Sequence, residues 1–265
     1  MSVLIACLIL LVLGALLGIG LSIASKKFAV EKDPKLEALE AMMPGANCGG
    51  CGYAGCSAYA NAVFRGEAAP GLCAPGGQAL ANKMSEVMGV EAEEVEKKVA
   101  YVFCQGSCSK TTNDFEYKGL EDCNAAALLF NGEGSCKYGC LHLGSCMQVC
   151  PENAISRDED GQLTVDREKC IGCGKCTKVC PHNVIKLIPA SAWYVVACNS
   201  HDNGAKVRKV CEAGCIGCKI CETKFPESGF KVDSFLAVAD YSANPDEQAK
   251  AAEACPRKII RKAEE

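Results

Sequence analysis

The chain has 265 residues, 22 of them cysteine, and a formal net charge of −4. That length suits more than one domain, and mild acidity without a basic stripe argues against nucleic acid as a partner. Cysteine-dense secreted chains that form disulfides are usually short. Here the cysteines come in tight groups beside Gly and Pro, the pattern of thiolates converging on iron–sulfur clusters in a reducing compartment.

At the N-terminus, Val3 to Ala24 carries no charge; at roughly 1.5 Å per residue it spans about 33 Å, enough for a bilayer core. A signal peptide is the alternative, with "SIAS" as its cleavage site, but no basic residue precedes the run and the run is too long for one. Lys26 and Lys27 follow directly, so the positive-inside rule places the remainder in the cytoplasm. Residues 1–27 thus read as a single-pass membrane anchor, and 28–43 as a charged linker with a short helix.

Residues 44–122 read as a four-cysteine domain with a following helix. "NCGGCGYAGC" and the later "LC" supply Cys48, Cys51, Cys56 and Cys73, one thiolate for each iron of a [4Fe–4S] cubane. The glycines allow sharp turns around a bulky inorganic core. Zinc is the alternative, since it too is held by four thiolates. Met84, Val87, Met88, Val95, Val99 and Val102 recur at helical spacing, which predicts a helix through 77–103.

From Cys123 onward the chain repeats. Shifted by 75 residues, Cys123, Cys136, Cys140, Cys146 and Cys180 fall on Cys198, Cys211, Cys215, Cys221 and Cys255, and Pro151 and Pro181 fall on Pro226 and Pro256, without a gap. Residues 123–188 and 198–262 therefore read as two copies of one ferredoxin-like module, with modules over 123–190 and 191–265. "CIGCGKCTKVCP" gives Cys170, Cys173, Cys176 and Cys180 the spacing C-x2-C-x2-C-x3-C-P. In two-cluster ferredoxins the fourth cysteine serves the other cluster. Cys150 therefore joins Cys170, Cys173 and Cys176, and Cys180 joins Cys140 and Cys146. The middle cysteine between Cys140 and Cys146 is missing, with Leu143 in its place, so Cys136 is read as the substitute ligand.

In the second copy, Phe225, Pro245, Gln248 and Ala251 stand where Cys150, Cys170, Cys173 and Cys176 stand in the first. One ligand set has gone as a unit, and Phe225 is expected to fill its place. Cys255 remains for Cys215, Cys218 and Cys221, with Cys211 as a rival to Cys218. The expected fold is an N-terminal transmembrane helix followed by small α+β iron–sulfur domains, with tandem ferredoxin-like modules, the second degenerate. Four [4Fe–4S] clusters are expected. Cys104, Cys108, Cys123 and one partner leave room for a fifth; otherwise they, Cys198 and Cys211 are small buried side chains. His142, His182 and His201 read as surface or turn residues and Trp193 as core. No G-x-G-x-x-G or Walker loop is present.

The span, "MPGANCGGCGYAGC" with Cys73, "DCNAA" and "CKYGCLHLGSCMQVCP", and the ferredoxin motifs together resemble the B subunit of the Rnf complexes. The resemblance implies an iron–sulfur protein at the cytoplasmic membrane that accepts electrons from soluble ferredoxin. The complex would pass them toward NAD and couple this to Na+ or H+ transport. Its partners would be the other subunits and membrane lipid, with flavin and NAD sites on those other subunits. An iron–sulfur subunit of another membrane oxidoreductase is the rival reading, and a non-redox zinc protein a further one.

Overall fold

The computed structural model describes residues 2–27 and 33–264, with side chains described over 10–23 and 33–264. The first helix, α1, runs Ser2–Lys27. Its described large apolar side chains, Leu10 through Ile23, are 52–71% exposed. Among the described residues no helix is long and apolar enough to cross a membrane. Residues 3–9 and 24 of the expected span lie outside the described side chains, as do residues 28–32 of the expected linker.

Asp33 starts α2 (Pro34–Met42) by accepting the Lys35 N–H at 2.8 Å, with Pro34 in the first turn. The helix buries Leu39 against α3 (Cys56–Phe64) and α4 (Gly77–Met88), where Tyr59, Ala60, Val63, Leu80 and Met84 complete a small core. The Tyr59 hydroxyl donates to Ala69 O at 2.7 Å and accepts the Leu72 N–H at 3.2 Å. It thereby ties the 3-10 turn Pro70–Leu72, and with it the adjacent Cys73, to this core. The expected helix through 77–103 is shorter. Gly89, at φ 69°, ends α4 in a left-handed cap, and the β-branched Val99 and Val102 fall in strand β1 (Lys98–Val102).

The rest is short elements: α5 (Cys123–Ala127), α6 (Ser145–Gln148), β2 (Ile155–Arg157), β3 (Leu163–Val165), α7 (Lys175–Val179), β4 (Ile185–Pro189), β5 (Tyr194–Val196), α8 (Gly204–Val210), α9 (Ile220–Thr223), β6 (Lys231–Asp233), β7 (Leu236–Val238), α10 (Pro245–Ala254) and β8 (Ile260–Lys262). They form four two-stranded antiparallel sheets, β1–β4, β2–β3, β5–β8 and β6–β7. The register Lys98↔Pro189 to Val102↔Ile185 joins the first domain to the first module. The repeat is visible in the backbone. α6 and α9 coincide after the 75-residue shift. Gly144 and Lys219 cap them in the same left-handed conformation, and Asn183 and Lys258 share φ near 52° and 51°.

The second module differs where its ligands are missing. Gln248 and Ala251, at the places of Cys173 and Cys176, are 1% and 0% exposed on α10. The Gln248 side chain donates to Asp240 O at 2.9 Å. Phe225, expected to be the main filler, is only half-buried at the edge of the core; the deeply buried aromatic is Phe230, 2% exposed. The cause is local: Phe225 caps a 3-10 turn, Pro226–Ser228, that holds it at the core's rim. Accordingly, Phe230→Ala should destabilise the protein by about 3–5 kcal/mol and Phe225→Ala by distinctly less, in denaturant unfolding of anaerobic protein. Neither should lower the iron content.

Candidate metal centres

The first group sits on a loop pinned to the start of α3. The Asn47 side chain accepts the Cys56 N–H at 2.8 Å and donates to Gly45 O at 3.2 Å. This folds the turn carrying Cys48 and Cys51 back toward Cys56. Burial raises the Cys73 thiol, and nearby Cys51, Cys48 and Cys56 raise it further. The four sequence-predicted cysteines are therefore electrostatic neighbours.

Cys150, Cys170, Cys173 and Cys176 line one cleft of ≈ 360 Å³. Backbone N–H groups already face its sulfurs, Ala100 N–H to Cys170 Sγ at 3.4 Å and Ala154 N–H to Cys150 Sγ at 3.3 Å. Burial first, and then Cys170, Cys173 and Cys150, push the Cys176 thiol up to about 12. The first group docks here. A Cβ on Gly50 would stand 2.7 Å from Cys173 O, and Lys178 Nζ donates to Gly49 O at 3.0 Å. Gly172, at φ 66°, likewise has no room for a side chain, because its Cβ would fall 2.3 Å from Lys98 O.

The next cleft, ≈ 330 Å³, is lined by Cys123, Cys140, Cys146 and Cys180. Here the structure differs from the sequence expectation, which put Cys136 with the last three. Asp122 caps α5 by accepting the Ala125 N–H at 2.8 Å. The Cys123 N–H donates to Ser145 Oγ at 2.7 Å, and that hydroxyl donates to Asp122 at 3.0 Å. This clamp sets Cys123 beside Cys146, where Leu143 offers no sulfur. Burial, then Cys123, Cys180 and Cys176, push the Cys146 thiol up to about 12. Cys136 lines a separate cleft of ≈ 660 Å³ with Cys104, Cys198 and Cys211. The signal for Cys123 in the sequence is its Asp-Cys start to a helix, which fixes a backbone N–H and a thiol together.

In the second module Cys215, Cys218, Cys221 and Cys255 line a cleft of ≈ 370 Å³. Cys218 lines this cleft and Cys211 does not. Burial, then Cys215, Cys218 and Cys255, push the Cys221 thiol up to about 11. Cys108 is exposed. The three histidines point ring nitrogens at backbone carbonyls, His142 to Gly161 O at 2.7 Å, His182 to Gly139 O at 2.6 Å and His201 to Ser234 O at 3.2 Å. Trp193, expected in the core, is 61% exposed. It ends a turn between β4 and β5 and contributes its carbonyl to Ala263 N–H at 2.8 Å.

Among the described residues no three or more of His, Cys, Asp and Glu converge so as to hold a single metal ion. The donor sets still fit a cubane. Each is four thiols, one for each iron; the last three sets are spread around clefts, and backbone N–H groups face Cys140, Cys150 and Cys170. The sets follow one another. Cys48 is among the charges that raise Cys173 after burial, and Cys176 is among those that raise Cys146.

Comparison with known proteins agrees. Residues 43–75 match a family model described as "Putative Fe-S cluster", and residues 137–187 match the 4Fe-4S dicluster domain. The B subunit of the ion-translocating oxidoreductase complex of Methanosarcina acetivorans is 43% identical over 86% of this chain and 86% of its own length. The B subunit of the proton-translocating ferredoxin:NAD(+) oxidoreductase complex of Clostridium ljungdahlii is 40% identical over 91% and 85%. The B subunit of the Na(+)-translocating ferredoxin:NAD(+) oxidoreductase complex of Acetobacterium woodii is 42% identical over 88% and 70%. A chain that shares this much sequence over nearly its whole length, and carries its cysteines in such sets, belongs to the family of B subunits of the ion-translocating oxidoreductase (Rnf) complexes.

Proposed function

We propose that this chain is the electron-transfer subunit of a membrane-bound, ion-translocating oxidoreductase. It takes electrons from reduced ferredoxin and passes them toward NAD reduction on another subunit, and the complex couples this to Na+ or H+ transport. The observation that carries the reading is the succession of four-thiol sets through one chain of this family. The proposed ligand sets are Cys48, Cys51, Cys56 and Cys73; Cys150, Cys170, Cys173 and Cys176; Cys123, Cys140, Cys146 and Cys180; and Cys215, Cys218, Cys221 and Cys255. When bound, [4Fe–4S] clusters there supply one-electron redox chemistry. The chain supplies the thiolates, gives up their protons as iron binds, aims N–H groups at the sulfurs and excludes water.

We read α1 as the membrane anchor. Its exposed apolar side chains support this, as do Lys26 and Lys27 beyond its uncharged stretch. The soluble part then faces the cytoplasm, where ferredoxin is found.

Membranes lacking this chain should lose ferredoxin-dependent NAD reduction and regain it with the wild-type chain. No recovery would overturn the reading. Cys180→Ala and Cys123→Ser should each remove about four irons and the same EPR signal. The signal of the Cys150, Cys170, Cys173 and Cys176 set should remain, and Cys136→Ser should leave both signals in place. Deleting residues 1–27 should move the chain from the membrane to the soluble fraction with its iron retained, checked by fractionation and iron assay.

A further inference from the structure

We propose that Cys104, Cys136, Cys198 and Cys211 hold a fifth [4Fe–4S] centre that joins the first ferredoxin-like module to the second. The inference rests on the iron–sulfur reading of the flanking sets. The four thiols come from four separate segments and, with Cys140 of the neighbouring set, line one cleft of ≈ 660 Å³. Four thiols from four segments facing one cleft is an arrangement that close packing alone does not call for.

The surroundings repeat what the other sets show. Cys104 Sγ accepts the Cys140 N–H at 3.3 Å, and Cys198 Sγ accepts the N–H groups of Ser200 at 3.5 Å and Cys215 at 3.3 Å. Bare backbone faces the other two sulfurs. A Cβ on Gly106 would lie 3.3 Å from Cys211 Sγ, and one on Gly139 3.6 Å from Cys136 Sγ. The segment around residues 110–113 draws the two loops together. Thr111 bridges to Cys211 and Asn113 to Gly134, while Ser135 N–H donates to Thr112 O at 2.9 Å and Glu212 N–H to Lys110 O at 2.8 Å. The Arg257 guanidinium holds Cys211 O at 2.6 Å and Gly214 O at 3.2 Å, fixing the turn after α8.

The position gives the centre its role. Cys140 belongs to the set with Cys123, Cys146 and Cys180, and its own N–H touches Cys104. Cys215 belongs to the last set, and its N–H touches Cys198. A single backbone step therefore links a ligand of each neighbouring set to a ligand of this one. Electron transfer weakens steeply with distance, so a centre here makes the path from the first module to the last continuous.

The test uses the full-length chain purified anaerobically in detergent, with iron, acid-labile sulfide and zinc counted per chain and the clusters followed by EPR and Mössbauer spectroscopy. The expected wild-type content is about twenty irons, four for each of five sets; this count needs no variant and so does not depend on one folding. Cys198→Ser and Cys211→Ser should each lower it by about four with the other EPR signals retained. Cys108→Ser, outside the cleft, should lower it by none. A wild-type content of about sixteen irons would overturn the fifth centre and leave the proposed function standing. An unchanged count in both the Cys198 and Cys211 variants would do the same, as would one zinc per chain that Cys211→Ser removes. A chain without iron would overturn both.

Discussion

Each candidate centre draws its four sulfurs from stretches of chain that are not adjacent, and the fold hangs on that convergence. Cys180, at the end of α7, reaches back to Cys140 and Cys146, while Cys150 reaches forward to Cys170, Cys173 and Cys176. The helices that carry Cys123, Cys146 and Cys176 are four or five residues long, and the strands around them three to five. Isolated elements of that length do not persist in water. The apolar clusters beneath them are correspondingly small, and several of their members are the cysteines themselves. In the proposed assignment, metal–thiolate bonding is a main source of folding free energy, as in other small metal-bearing domains. Holding the cofactor and holding the fold are then one requirement.

The same requirement explains where backbone freedom is concentrated. Left-handed residues start α6, α7 and α9, at Gly144, Gly174 and Lys219, each just before or between cysteines of a set. Such turns let consecutive N–H groups point inward at sulfur. Gly50 and Gly172 act differently, since they let two backbones touch. One brings the first loop onto Cys173 and the other brings β1 onto the dicluster motif. A side chain at Gly50 would push the first cysteine group away from the second, lengthening the step between them without altering any ligand.

The motif C-x2-C-x2-C-x3-C-P and the 75-residue repeat could be read directly from spacing, because both are properties of order along the chain. They located Cys150 with Cys170, Cys173 and Cys176, and Cys255 with Cys215, Cys218 and Cys221, as the clefts in the structure group them. Cys123 could not be read that way. It reaches its cleft through the Asp122–Ser145 clamp, a contact across more than twenty residues; the Asp-Cys helix start marks the residue but not the cleft it reaches. With Cys123 in that cleft, Cys136 lines the neighbouring one, beside cysteines of three other segments. The helix expected through 77–103 failed for a simpler reason. Apolar spacing suited a helix, but Gly89 ends it and the β-branched residues after it find a partner in β4. Trp193 was misplaced because size alone does not decide burial at a turn.

The second module shows how little the surviving centre asks of the segment that lost its ligands. In the first module, residues 170–176 must bend so that three sulfurs face one cleft, and only five residues, α7, remain helical. In the second, no sulfur is required before Cys255, and the segment becomes a regular ten-residue helix, capped by Asn244 and started by Pro245. A continuous helix satisfies its own backbone groups and needs no cluster to hold its turns. What is kept is the exit. Cys180 ends α7 at φ −80°, ψ 110°, and Cys255 ends α10 at φ −70°, ψ 115°. The same extended cap aims each thiol at the cleft of the other half-module, and each is followed by proline, which cannot continue the helix. Loss of one ligand set is therefore compatible with an unchanged partner set, provided the replacement helix stops at the same residue.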